Sequence, residues 1–129
     1  MRRLILIVIL TAALLLAACN SSGEEGAASD SAGKELFAKT VLGSKAGCAT
    51  CHSLEPGIVI IGPSVAGIGT RAGAVVAGQS AEDYLRESII DPDAYIVEGY
   101  PPSTMPKGYD QELTSDQVDQ LVAYLLSLQ

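Results

Sequence analysis

The residues best suited to chemistry lie together in Cys48-Ala49-Thr50-Cys51-His52. Two thiols three positions apart on a helical turn project to the same side, where they can add to the two vinyl groups of a haem. The adjacent histidine then lies below the iron as its proximal ligand. The spacing therefore predicts one covalently attached haem c, held by Cys48 and Cys51 and ligated by His52.

Other uses of these residues are limited by what else the sequence contains. A zinc site needs about four ligands, yet the only further cysteine is Cys19, and His52 is the only histidine. A thioredoxin-like dithiol needs a βαβ context, which a helical chain lacks. A structural disulfide between Cys48 and Cys51 stays open as an alternative, but it gives His52 no role.

A low-spin haem needs a second axial ligand, and Met105 is the only methionine besides Met1. Met105 lies in the segment 99–106, where three prolines restrict the backbone. We expect its thioether to be the sixth ligand, which raises the reduction potential and leaves no open coordination position for a substrate. Electron transfer is therefore predicted rather than catalysis, and no catalytic residue is proposed.

The N-terminus has the features of an exported, lipid-anchored protein. Two arginines precede an apolar run over residues 4–18, which is shorter than the roughly 18 residues of a spanning helix. The small residues before Cys19 resemble the lipobox of bacterial lipoproteins, which are cut before a cysteine that receives a lipid. We predict a cleaved signal peptide at 1–18, a lipidated Cys19, and a location on the extracytoplasmic (periplasmic) face of the cell membrane. A retained signal acting as the anchor is the alternative.

Composition divides the rest of the chain and restricts its partners. Residues 19–32 are small and polar without periodicity, which predicts a flexible linker behind the lipidated cysteine. Residues 33–129 have room for one small domain.

The net charge is −7, or −9 once Arg2 and Arg3 are removed with the signal. This charge argues against nucleic acid as a partner. It suits docking to a basic patch on another protein, although solubility alone would also account for it.

Periodicity and capping signals predict three helices and an all-α domain. The first runs from about Ser31 to Leu42 and ends near Gly43. The second begins after Ser80 and ends before Pro92. The first two helices carry their apolar faces on Leu36, Phe37 and Val41, and on Tyr84, Leu85 and Ile89.

The third helix has the clearest start. Thr114 and Gln117 form a capping box, and Leu113 can pack on Val118 across it. An apolar stripe then continues through Leu121, Val122, Leu125 and Leu128. No segment between residues 53 and 80 alternates like a strand, and we expect loops packed on a bound group there.

Together these motifs resemble the class I cytochromes c over about residues 31–129. The family fold is small and all-α, with three to four helices and loops wrapped round one covalent haem. Its first and last helices cross, which places Gly33 and Phe37 against Tyr124 and Leu125. Residues 62–71 are similar to the family segment G-P-x-L-x-G followed by arginine. The resemblance implies that the Pro63 carbonyl accepts a hydrogen bond from His52 and that Arg71 meets a haem propionate.

A finer resemblance concerns residues 89–105. They look like cytochrome domains of membrane respiratory complexes, such as those fused to oxidase subunit II, and the plan is similar to the lipid-anchored mono-haem subunit of alternative complex III. The expected function is one-electron transfer, by a tethered shuttle or by a subunit of a respiratory or photosynthetic complex, with redox proteins as partners. A haem-based sensor or peroxidase-like protein is the alternative, and an assembly protein with a structural haem is a third hypothesis.

Overall fold

The computed structural model describes residues 22–129. The predicted signal peptide and the lipidation site Cys19 lie outside them. The described residues form five α-helices, one two-stranded hairpin and two 3₁₀ turns, and none of the helices combines the length and hydrophobicity of a transmembrane span. In chain order the elements are α1 (Ser22–Ala38), β1 (Val41–Leu42), β2 (Lys45–Ala46), a 3₁₀ turn (Cys48–Thr50), α2 (Ile68–Arg71), a 3₁₀ turn (Ala72–Ala74), α3 (Ala81–Ile90), α4 (Tyr109–Glu112) and α5 (Ser115–Ser127).

Helix α1 differs from its prediction at both ends. Residues 22–32, predicted to be flexible linker, are helical, because the stretch contains no proline and continues a helix whose later turns are packed. The helix ends at Ala38 rather than near Leu42. Beyond it the chain reverses through Gly43, which has a φ of 60°, and Val41 pairs with Ala46 in the hairpin. The β-branched Val41 is consequently 56% exposed instead of lying on the apolar helix face.

The middle of the chain is mostly irregular, as predicted, but it contains a short helix that the sequence did not indicate. Helix α2 spans only four residues after Gly67, whose φ is 63°, and it continues into the 3₁₀ turn at Ala72–Ala74. Helix α4, also four residues long, follows Gly108 in the same way. Elements of one turn are too short to show a 3.6-residue period, so neither could be predicted by periodicity.

Helices α3 and α5 confirm their predictions. The Ser80 hydroxyl accepts a hydrogen bond from Asp83 N at the start of α3, and both halves of the Thr114–Gln117 capping box are present at α5. Arg86 joins the two helices, with its guanidinium 2.6 Å from Asp119 Oδ1.

The core lies where α1 crosses α5, as the family resemblance implied. The backbones approach so closely at Gly33 that a Cβ there would lie 1.9 Å from the carbonyl oxygen of Gln120. The rings of Phe37 and Tyr124 pack at a centroid distance of 5.6 Å, and Leu121, 1% exposed, is the most buried of the large side chains. The predicted all-α class is confirmed.

Candidate functional site

A cleft of about 310 Å³ opens between α3, α5 and two long irregular segments, residues 51–67 and 91–108. This volume falls within the roughly 300–1,000 Å³ of sites that hold small molecules and cofactors. Its walls are largely apolar, with contributions from Phe37, Leu42, Val65, Ile68, Leu85 and Leu121. The cleft lining also includes all six residues predicted to meet a haem, namely Cys48, Cys51, His52, Pro63, Arg71 and Met105.

The cysteines lie on a helical turn, which is the local geometry that their spacing predicted. Residues Cys48–Thr50 form a 3₁₀ turn, and His52 N donates to the carbonyl of Cys48 at 2.9 Å. The turn therefore brings Cys48, Cys51 and His52 to the wall of one cleft.

The surroundings of Cys48 disfavour its thiolate form. Burial raises the pKa of Cys48 to about 11, whereas reactive dithiols such as that of thioredoxin have a lowered pKa. This direction argues against a thioredoxin-like dithiol. No group of three or more His, Cys, Asp or Glu side chains in residues 29–129 is placed to hold a metal ion.

The imidazole of His52 is fixed in the cleft by the loop that follows it. Its Nδ1 lies 2.8 Å from the carbonyl oxygen of Pro63. Because a carbonyl only accepts, Nδ1 carries the proton and Nε2 is left with a free lone pair. This is the tautomer that a metal-ligating histidine needs, oriented by the kind of carbonyl acceptor that such ligands commonly have.

The loop reaches His52 by a set of backbone hydrogen bonds. The N–H groups of Ile61 and Gly62 both donate to the carbonyl of Cys51, at 3.2 and 2.9 Å. A Cβ on Gly62 would lie 2.6 Å from His52 Cε1, so only glycine permits this approach. The carbonyl of Pro63 is thereby placed beside Nδ1 of the His52 ring, which it orients.

Arg71 lies exposed at the rim of the cleft, at the end of α2. Its Nη2 donates to the carbonyl of Ser64 at 2.7 Å, and its Nη1 donates to the carbonyl of Ala66. The guanidinium therefore braces the loop that carries Pro63. Its expected contact with a haem propionate stays a prediction.

Met105 lies in an irregular segment and is half-buried, packed against the core cluster. Asp93 holds this segment through hydrogen bonds to Ser103 and an ion pair with Lys107. These three residues could not be predicted as a group, because no periodic or spaced motif links two irregular segments. The only available signal was the density of prolines around Met105.

The aromatic residues near the site have separate roles. Tyr109, which no sequence pattern indicated, is buried in the cleft wall and its hydroxyl donates to the carbonyl of Ala46 at 2.6 Å. Tyr95 and Tyr100 line the cleft as well. Ser88, which also lines the cleft, donates its hydroxyl to the carbonyl of Tyr84 within α3.

The described residues fit a covalent haem. The cleft offers apolar walls for a flat macrocycle, an oriented imidazole at one wall, and two partly buried cysteines on the adjacent turn. A small all-α domain with this site defines a c-type haem protein that transfers electrons. A model of the cytochrome c family matches residues 31–129, and the chain belongs to that family. Comparisons with curated proteins and with solved structures found no match.

Proposed function

We propose that this cytochrome c carries one haem, ligated by His52 and Met105, and transfers single electrons while tethered to the extracytoplasmic, periplasmic face of the cell membrane. The observation that carries the proposal is the placement of both residues in one cleft, with His52 already oriented by the Pro63 carbonyl. Family membership supports covalent haem c and electron transfer in general.

In this function, each of the residues that line the cleft around the haem has a separate role. Bound haem supplies an iron that alternates between ferric and ferrous states. Pro63 keeps the proton on Nδ1 of His52, which leaves Nε2 free to ligate. The thioether of Met105 would also ligate the iron and, as a weak donor, would favour its reduced state. The apolar walls would limit access of water, and the resulting low dielectric would help to tune the potential.

The site can be tested on purified full-length protein by mass analysis and optical spectroscopy. We expect one haem per chain on the peptide that contains Cys48 and Cys51, and a sulfur-to-iron charge-transfer band in the oxidised form. Met105→Leu should lose that band, lower the potential and bind carbon monoxide when reduced. Glu98→Gln, an exposed change that removes a charge near the same segment, is the matched control.

Ready binding of carbon monoxide or peroxide by the unmodified protein would overturn the proposal. Such an open iron would favour the haem-based sensor or peroxidase-like alternative. A haem that passes no electrons to any partner would instead favour a structural role.

The tether rests on Cys19 and is tested separately. Each buried methylene of an acyl chain contributes about 0.8 kcal/mol to membrane binding, so several chains anchor firmly. We expect the native protein to carry lipid and to sediment with membranes, and Cys19→Ser to lose the lipid. Ser21→Ala is the matched control. Absence of lipid on the native protein would overturn the tether, while a retained signal would appear as an uncut N-terminus.

The partners are redox proteins, as the acidic charge of the domain suits docking to a basic surface. Electron transfer to such a partner should slow as salt rises, because screening weakens the attraction. Gentle detergent extraction distinguishes a stable subunit of a complex from a tethered shuttle. Recovery with a respiratory or photosynthetic complex supports a subunit, and recovery of the protein alone supports a tethered shuttle.

A further inference from the structure

One carboxylate holds both sides of the segment that carries Met105. Asp93 Oδ1 accepts the backbone N–H of Ser103 at 2.8 Å, and Oδ2 accepts the Ser103 hydroxyl at 3.0 Å. The ammonium of Lys107 lies 2.8 Å from the same Oδ2. Ser103 precedes Met105 by two residues and Lys107 follows it by two. We call these three residues the Asp93 clamp.

Apart from its prolines and the packing of Met105 on the core, few contacts fix the clamped segment. Ser103 is the only residue other than glycine with a positive φ in residues 22–129, at 59°, a conformation that L-residues rarely adopt. Within the same range, no backbone-to-backbone hydrogen bond outside the regular elements involves residues 103–107. The Thr104 hydroxyl donates to the carbonyl of Pro101 at 2.8 Å, which ties the segment only to itself. The clamp is therefore the main set of polar contacts that fixes the conformation around Met105.

Asp93 is itself held by the end of α3. The backbone N–H of Asp91 donates to the carbonyl of Glu87 at 2.7 Å, and Ala94 N donates back to Asp91 O at 3.0 Å. The ring of Tyr95 packs edge-on against buried Tyr84, with centroids 6.0 Å apart. The side chain of Asp93 is only 20% exposed. The clamp thus connects the segment around Met105 to a rigid helix.

We propose that Asp93 is a positioning residue that holds the sulfur of Met105 in the haem cleft. This inference rests on the proposed ligation by Met105 and adds what keeps that ligand in place. Without the clamp the segment samples conformations in which the sulfur lies away from the iron. An added ligand then competes more successfully, because its apparent affinity follows the fraction of molecules with the sulfur displaced.

Imidazole binding to the oxidised holoprotein tests the inference, at a pH where imidazole is neutral. We expect Asp93→Ala to raise the apparent imidazole affinity about tenfold and to weaken the sulfur-to-iron band. The apparent imidazole affinity of Asp93→Asn should lie between those of Asp93→Ala and the unmodified protein. An amide oxygen still accepts from Ser103 but cannot form an ion pair with Lys107. Glu98→Gln removes one exposed charge from the same region and should match the unmodified protein.

Thermal unfolding of each variant separates positioning from a general effect on stability. A lower melting temperature of Asp93→Ala with unchanged imidazole affinity would overturn the inference. If Asp93→Ala yields no holoprotein, Ser103→Ala removes the hydroxyl contact of the clamp and Lys107→Met removes its ion pair. Each should raise the affinity by a smaller factor, and no increase in either would also overturn the inference.

Met105→Ala distinguishes failure of the inference from failure of the proposed function. If its spectrum equals that of the unmodified protein, Met105 is no ligand and both proposals fail. If the spectra differ while Asp93→Ala binds imidazole like Glu98→Gln, only the positioning role fails.

Discussion

His52 and Pro63 are eleven residues apart in sequence, yet the Nδ1 of His52 lies 2.8 Å from the carbonyl oxygen of Pro63. The contact depends on Gly62, where a Cβ would meet the imidazole at 2.6 Å. The loop and the histidine therefore form one unit, and Gly62 is as constrained as the two residues that share the hydrogen bond.

Gly62→Ala should displace the His52 ring and break its hydrogen bond to Pro63. We expect a lower yield of holoprotein, a shifted reduction potential and a loss of unfolding free energy of about 1–3 kcal/mol from the forced contact. Denaturant unfolding and redox titration measure these effects. Gly73→Ala is the control, because its Cβ meets nothing closer than 3.6 Å. Equal behaviour of the two variants would contradict the prediction.

Gly33→Ala should separate helices α1 and α5 at their crossing. The new Cβ would lie 1.9 Å from Gln120 O and 2.7 Å from Tyr124 Cβ, and neither the backbone nor a buried ring can yield cheaply. We expect a loss of about 1–3 kcal/mol in the free energy of unfolding. Ser31→Ala, at an exposed position of the same helix, should cause almost no loss. A stable Gly33→Ala protein would show that the crossing is loose.

Thr114→Ala should weaken the start of α5. The Thr114 hydroxyl accepts from Gln117 N at 3.3 Å, and Gln117 Oε1 accepts from Thr114 N at 3.0 Å. Removing the hydroxyl should cost about 1 kcal/mol of unfolding free energy, since the cap satisfies an otherwise free helix amide. Chemical denaturation checks this value, with the exposed Ser115→Ala as control. The haem spectrum should not change, because α5 contributes apolar wall rather than ligands.

The Asp93 clamp should give a pH-dependent contribution to stability. Hydrogen bonds and the charge of Lys107 lower the pKa of Asp93 from 3.8 to about 2. A depressed pKa of a carboxyl group contributes stability that is complete above the unfolded value and is lost as pH falls through the folded one. The difference in unfolding free energy between the unmodified protein and Asp93→Asn should be constant above about pH 5 and shrink from pH 3.8 towards 2. A difference that grows in acid would contradict this sign.

The sequence by itself was enough to predict the haem attachment chemistry and to place helices α3 and α5. The spacing of Cys48, Cys51 and His52 needs no tertiary information, because one helical turn suffices to align them. The starts of α3 and α5 were predictable for the same reason, since a cap bonds residues only three positions away. Met105 could be chosen by elimination, and the family resemblance supplied the partner carbonyl of His52 and the crossing at Gly33.

Only the tertiary structure decided the features that depend on distant residues. Helix α1 ends at Ala38 because residues 41–46 form a hairpin instead. The helix propensities of the single residues do not predict this pairing. Arg71 turns to the carbonyls of Ser64 and Ala66. The Asp93 clamp joins two irregular segments through side-chain contacts that no local pattern indicates. Local patterns reflect neighbours along the chain, whereas the position of the segment around Met105 depends on contacts between segments that no sequence motif links.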